Sequence, residues 1–414
     1  MEGRGHRPVD AAQDPTRRLI AAVPARAWWL GTFLCALAVR LAWLWVWQSR
    51  GFTDRFGYDP YFTIANFWHG WGPPWLDVTH PPAFPFWIYL LLGVLGRPSL
   101  LAVQLANVLL SSASPLLLGL WTRRAFGETP ARLAGLWAAF DPLLVFFAVQ
   151  PQSEPFFVFV ELCFFLALQA ALASPSALGA LGTGLLGGLA SLTRSVFGPF
   201  APFLAAALLW PRRREPRAWA LAGLLALGWA AGPSLWGMRN LRIHGRFIPL
   251  AVNGGWNLWE GFTLDREEVR RRPYAMTEEA VAAGLDPRDA AATGEYFARK
   301  TKTFMREHPG AAARIVAGKF FLYWRPWPYD PHDPRVRAVL AAYFSVLFLL
   351  AALGAWAVRR SAAAAPVFAL FVTLSLLHSV FFTSLRYRTP LEPFLVVFAA
   401  AGALRLLGRR PEDA

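Results

Sequence analysis

The chain has 414 residues, of which 56% are hydrophobic and only 16% charged, with a formal net charge of +15 and a mean hydropathy of +0.35. Soluble domains run nearer 45–50% apolar and about 25% charged, so the composition excludes an ordinary soluble enzyme and predicts an all-α polytopic membrane protein. The positive charge does not point to nucleic acid. Its arginines sit mostly between apolar segments, where they set topology and meet anionic lipid, and no basic face with interleaved stacking aromatics lies outside them.

Residues 1–26 form a polar tail with Arg4, Arg7, Arg17, Arg18 and Arg26. Residues 27–47 are then apolar for roughly 21 residues, enough to cross a ~30 Å hydrocarbon core. The stretch reads as a signal anchor that holds the basic tail in the cytoplasm. Residues 48–98 follow as a first outer loop carrying Asp54, Asp59, Asp77 and His80 among aromatics and Pro73, Pro74, Pro81 and Pro82. Prolines break helices and carboxylates are costly in hydrocarbon, so this loop is no lipid-exposed helix. Within it, 84–95 is apolar but only about 12 residues long, which suits a re-entrant or interfacial piece better than a span.

Spans are expected at 99–121, 132–149, 155–173, 177–193, 196–210 and 218–236, completing a membrane domain over 27–236. The connections TRRAFGETPAR and PRRREPR carry the inside charge. Residues 237–335 form a large extracytoplasmic loop, with an amphipathic helix over 294–324 and an aromatic end at YWRPWPYD. Its charge does not conflict with an outside position, because long loops escape the positive-inside rule. C-terminal spans at 336–358, 362–383 and 391–408, within 336–408, lead to a cytoplasmic tail at 409–414. The sum is a bundle of about ten transmembrane helices, eleven if 84–95 crosses, with a helical outer loop. Cys35 and Cys163 lie in apolar segments and read as packing residues. LGTGLLGGL at 181–189 matches GxGxxG in letters. It lacks a preceding strand and a downstream acid, so Gly184 and Gly188 are expected to serve close helix packing.

This topology gathers the unusual polar groups on the outer side. Asp59 precedes Pro60, which reads as a helix cap and equally as a carboxylate held at a cavity mouth. Glu154 in SEPFFVF reads as a turn residue or as a second active carboxylate. Arg194 in GLASLTRSVFGPF needs an anion at its depth, either a lipid phosphate or Glu154. Arg386 and Arg388 in LRYRTP present guanidinium forks suited to phosphate, with Tyr387 between them to stack on an isoprenoid or sugar face. His80 has no partner at metal-ligand spacing.

Taken together, these segments resemble a GT-C glycosyltransferase that uses a polyprenyl-phosphate sugar. The nearest group is that of bacterial relatives of the protein O-mannosyltransferases and the lipid A aminoarabinose transferase. GYDPYFTIANFWHGW is similar to the family's Asp-x-Tyr-x-x-x-Ala pattern and THPPAFPFW to its Pro-Pro corner. SEPFFVF, GLASLTRSVFGPF, RNLRIHGRFIPLAVNGGWNLWEG, HPGAAARIVAGKFFLYW and FFTSLRYRTPLEPFLVV resemble its later segments in order. The resemblance implies a GT-C bundle in the inner (plasma) membrane. It implies an inverting transfer, metal-independent or loosely assisted by a divalent metal, with Asp59 as base and Glu154 as second carboxylate. Arg194, Arg386 and Arg388 are the donor-phosphate candidates, and Tyr61, His80, Tyr387, Asn253 and Trp256 the donor or acceptor contacts. The partners implied are a polyprenyl-phosphate-linked sugar, membrane lipid, and a glycan, lipid or protein acceptor. Pro60 replaces the Glu that follows the Asp in protein mannosyltransferases, which weighs against a protein acceptor. The rival readings are an O-antigen-type polymerase or ligase and a lipid-linked sugar flippase or transporter, the latter expected to show inverted repeats or paired broken helices.

Overall fold

The computed structural model describes residues 23–52, 60–71, 77–263, 275–327 and 333–408. Asp54 and Asp59 lie outside the described residues. All regular structure among those described is helical. The first half comprises α1 (Ala25–Ser49), α2 (Pro60–Trp68), α3 (Ala83–Leu95), α4 (Leu100–Phe126), α5 (Glu128–Phe140), α6 (Pro142–Ala148), α7 (Glu154–Ala173), α8 (Ala177–Thr193), α9 (Phe200–Leu209) and α10 (Pro216–His244). Then come α11 (Gly254–Thr263), α12 (Ala275–Ala282), α13 (Ala290–Glu307), α14 (Pro309–Trp324), α15 (Pro334–Ala357), α16 (Ala364–Val380) and α17 (Glu392–Leu406). Two 3-10 turns, Ser195–Phe197 and Leu385–Arg388, precede α9 and α17.

By length and composition, α1, α4, α7, α10 and α15 can each cross a membrane. The expected span at 132–149 is broken: α5 and α6 meet at a bend of 51°, and counting the pair as one crossing makes six. Four shorter apolar helices accompany them, Ala83–Leu95 and Ala364–Val380 among them. The chain is thus a polytopic α-helical membrane protein, with fewer full-length crossings than the ten read from hydropathy, because several apolar runs fold as helices shorter than a bilayer core.

The bend has a local cause. Pro142 has no N–H to bond the carbonyl of Ala138, and Asp141 starts a new helix by accepting from Leu143 and Leu144 N–H at 3.0 and 2.9 Å. Arg40 of α1, fully buried, donates to Ala138 O (3.4 Å) and Ala139 O (2.8 Å) and to Ser111 Oγ (2.8 Å). An α1 arginine therefore satisfies the carbonyls that the break exposes.

The most extensive helix pairing is between α8 and α10. A Cβ on Gly184 would stand 2.1 Å from Leu225 O, and one on Gly188 2.6 Å from Trp229 O. The GxGxxG letters are a helix-packing surface. The α15–α17 pair uses the same device, with a Gly354 Cβ 1.8 Å from Phe398 O. The amphipathic helix expected over 294–324 is two helices, α13 and α14, divided where Pro309 takes the first turn after His308.

Candidate functional site

Glu154 opens α7 and has no solvent exposure. Such a carboxylate is stable only if it is paired, and it is paired twice. Arg194, the residue that ends α8, donates from Nη1 to Oε1 at 2.6 Å. Arg386 of the 385–388 turn donates from Nε to Oε1 and from Nη2 to Oε2, the latter at 3.3 Å. Arg194 is 7% exposed and Arg386 29%, so one guanidinium is sealed in and the other opens outward. One carboxylate is thus shared by two guanidinia, whose forked donors are of the kind that suits an anion.

The aromatic neighbours hold these cations in place. Arg194 lies over the rings of Phe157 (5.8 Å) and Tyr387 (5.4 Å). Tyr387 stacks on His378 at 4.7 Å and His378 on Tyr323 at 5.4 Å, and the Tyr323 hydroxyl donates to Tyr387 O at 3.1 Å. Tyr387, expected as a stacking face for isoprenoid or sugar, is engaged by His378 and Arg194 in this structure. Burial raises the Tyr387 phenol above its ordinary pKa, with the charges of Glu154 and Glu260 adding to the effect against Arg386 and Arg194.

Arg388, expected beside Arg386 on phosphate, is directed elsewhere. In a 3-10 turn, residues two apart do not share a face. Arg388 is fully buried, bonds Glu392 at 3.3 Å and Arg325 O at 3.1 Å, and lies over Phe344 and Phe348. It lies in the bundle interior with Glu392, apart from the more exposed guanidinium of Arg386.

His80 reaches the Arg386 side of the site from the 77–82 loop. Burial, and then the charge of Arg386, push its pKa down to about 4, so its ring is neutral at physiological pH. Nδ1 contacts Thr79 Oγ1 at 3.0 Å. Tyr61, the second residue of α2, meets the His80 ring edge-on at 5.1 Å and Phe84 at 5.4 Å. The loop is tied down by Asp77, which accepts from Arg239 and contacts His244 Nε2 at 3.0 Å near the end of α10. Asp77 is therefore a tether.

Asn253 and Trp256 lie where α11 packs on α13. Asn253 O accepts from Asn257 N as α11 begins, and Trp256 Nε1 donates to Thr293 Oγ1 of α13 at 3.2 Å. A Cβ on Gly255 would stand 1.9 Å from Gly294 O, so the NGGW segment is locked onto α13. It still borders the loop, since Val252 N donates to Val78 O at 3.1 Å. Lys319 of α14 caps the end of α16 through Val380 O (2.7 Å) and Phe381 O (3.1 Å), and burial lowers its pKa to about 8.

Several polar residues of this region escaped the sequence reading. Glu161 lies two turns below Glu154 on α7, fully buried, with neither carboxylate oxygen hydrogen-bonded. Asp141, Glu392 and Arg40 were hidden inside apolar runs, although Asp141-Pro142 was a legible break signal. Glu260 was passed over in the WEG triplet, and burial raises its carboxyl pKa. Among the described residues, no three His, Cys, Asp or Glu side chains gather as a metal site.

The helical bundle has a GT-C-type membrane fold, by its similarity to solved structures. The archaeal oligosaccharyltransferase AglB from Archaeoglobus fulgidus, in complex with an inhibitory peptide and a dolichol-phosphate, matches it over 92% of this chain and 51% of its own, with TM-score 0.50 and 12% identity. The A. fulgidus oligosaccharyltransferase in complex with Zn and sulfate matches over 92% and 49%, with TM-score 0.52 and 13% identity. The chain thus spans about half the length of these structures. ArnT from Cupriavidus metallidurans, bound to undecaprenyl phosphate, is similar over 81% and 73% at 16% identity, but its TM-score of 0.34 carries no structural argument. In sequence, residues 79–236 match the family model of dolichyl-phosphate-mannose-protein mannosyltransferase. No curated protein matches the chain.

Proposed function

We propose that the chain is an inverting glycosyltransferase that moves a sugar from a polyprenyl-phosphate donor to a hydroxyl acceptor at the outer face of the membrane. The observation that carries this reading is the Glu154–Arg194–Arg386 cluster, a buried carboxylate holding two guanidinia with one of them open to solvent. A lipid phosphate leaving group gains negative charge as the glycosidic bond breaks, and a preorganised guanidinium stabilises that charge. In the reaction, the acceptor oxygen forms a bond to the anomeric carbon from the face opposite the phosphate. The anomeric C–O bond breaks with its electron pair leaving on the phosphate, and the acceptor proton passes to a carboxylate.

Asp59 is the proposed base, on the strength of its place in GYDPYFTIANFW ahead of α2. Glu154 then acts as a positioning carboxylate that sets Arg386 at the leaving group. Neutral His80 and the Tyr61 ring border the acceptor side. The matched dolichyl-phosphate-mannose-protein mannosyltransferase model and the dolichol-phosphate bound by AglB support a lipid-phosphate donor. The single break at Asp141, without a second broken helix to pair with it among the described residues, favours this reading over a transporter.

The test uses membranes carrying the full chain and a labelled polyprenyl-phosphate sugar, with release of polyprenyl phosphate as readout. Asp59→Asn is expected to lower transfer by roughly 10²–10⁴-fold. Undiminished transfer at normal protein abundance would remove Asp59 as the base.

A further inference from the structure

A second anion-compatible site lies at the other end of the bundle. Glu154 begins α7, and the cleft in question is lined by the end of that helix, Leu168 to Ala173, roughly 20–30 Å further along at 1.5 Å per residue. The cleft holds about 510 Å³ between the ends of α4, α7 and α9 and the start of α16. Its walls are apolar, with Trp121, Phe165, Leu172 and Pro366 among them, and its charged residues are Arg124 and Arg212. A smaller groove of about 80 Å³ runs on the far side of the same wall towards α8 and α10, and shares Leu168, Leu172, Leu208 and Arg212 with the first. No acidic residue lines either groove.

We propose that these paired grooves form a binding site for an anionic two-chain glycerophospholipid. The larger groove takes one acyl chain, the smaller seats only the first methylenes of the second, and the phosphate sits on Arg212, where they meet, with Arg124 completing the charge. Charge complementarity selects the occupant. Two guanidinia with no carboxylate among the lining residues disfavour a zwitterionic head, whose ammonium would meet only positive charge. The shape selects two chains, because a single isoprenoid chain fills one groove and leaves the other empty. This site is independent of the proposed reaction and lies far from Glu154.

The test uses purified full chain, stripped of lipid in neutral detergent and then equilibrated with vesicles of equal parts phosphatidylglycerol and phosphatidylcholine. Lipid retained after repurification is quantified by mass spectrometry. The expected result is retention of phosphatidylglycerol over phosphatidylcholine by about tenfold or more, equivalent to ~1.4 kcal/mol. Arg124→Gln/Arg212→Gln is expected to abolish the preference, while Arg359→Gln/Arg360→Gln, outside the groove lining, retains it. Ala365→Trp, which fills the larger groove without touching charge, is expected to lower total lipid retained. Equal retention of the two lipids overturns the proposal. So does an unchanged preference in the Arg124/Arg212 variant, or an equal loss in the Arg359/Arg360 variant. Displacement of phosphatidylglycerol by polyprenyl phosphate would make this a carrier-lipid site and would also overturn it.

Discussion

Glu154→Gln is the most informative change in this protein, because it keeps the shape of the side chain and removes only its charge. Glu154 is fully buried and holds Arg194 at 2.6 Å. At an effective dielectric near 20, a pair about 4 Å apart is worth ~4 kcal/mol before desolvation is counted. Stranding a buried partner costs about 3–5 kcal/mol. Arg194, sealed at 7% exposure, takes most of that loss, whereas Arg386 at 29% recovers much of its own in water. The variant should therefore fold with reduced stability and leave Arg386 free to rotate away from the leaving group. If about 3–4 kcal/mol of that positioning is expressed in the transition state, transfer falls by roughly 10²–10³-fold. The assay is polyprenyl phosphate release from labelled donor, normalised to folded protein, with kcat and KM measured separately. Positioning of a leaving-group cation predicts a fall mainly in kcat, since its charge partner develops only as the bond breaks. Transfer within twofold of the wild type at normal abundance would refute the cluster as the phosphate site.

Three further outcomes follow from the same geometry. Arg388→Gln should cut abundance and thermal stability, because it strands buried Glu392 at a cost of about 3–5 kcal/mol, while activity per folded molecule stays close to wild type; a specific loss of activity would return Arg388 to the donor site. His80, held near pKa 4 against an ordinary 6.5, contributes stability that is complete above pH 6.5 and is lost as pH falls from 6.5 through 4, up to about 3 kcal/mol. Thermal melts of His80→Gln should lack that acid sensitivity, and no inflection in transfer rate between pH 5.5 and 8 should trace to His80. Gly184→Leu should separate α8 from α10, since its first carbon alone would sit 2.1 Å from Leu225 O; this exceeds the ~1–3 kcal/mol of ordinary overpacking, and wild-type melting would contradict the packing.

The all-helical membrane class was legible because apolar length and arginine placement are carried by every span. The Gly184 and Gly188 contact was legible for a similar reason, since small residues four apart have one dominant use in an apolar helix. Glu154, Arg194 and Arg386 could be nominated singly, as charges where hydrocarbon makes charge expensive. The sequence offers Glu154 as one of two anions for Arg194 but does not choose between them, and that Arg386 joins the pair could not be read, because the three residues come from three separate segments and only the fold brings them together. Arg388 shows the opposite failure. Two residues from Arg386 it carries the same side chain, yet the turn sends one to the site and the other into the bundle, and a one-dimensional motif does not encode that divergence. The crossing count fell short for a related reason: hydropathy marks 132–149 as one run, while the missing N–H of Pro142 and the cap of Asp141 divide it.

The proposed reaction gives the two nominated carboxylates different duties. A base must meet the acceptor proton with a free lone pair, and Glu154 has both oxygens committed to guanidinia. It is poorly suited to take a proton and well suited to fix a cation. The proton therefore falls to a carboxylate outside that cluster. Asp77 is excluded as well, since Arg239 and His244 hold its two oxygens. The resemblance carried by the GYDPYF pattern makes Asp59 the proposed base. The double variant Asp59→Asn/Glu154→Gln separates the two duties. A base and a leaving-group positioner act on opposite faces of the sugar but in one transition state. The combined loss should therefore fall short of the product of the single losses, as for residues that act as a unit. Fully multiplicative losses would instead mean that the two residues contribute independently.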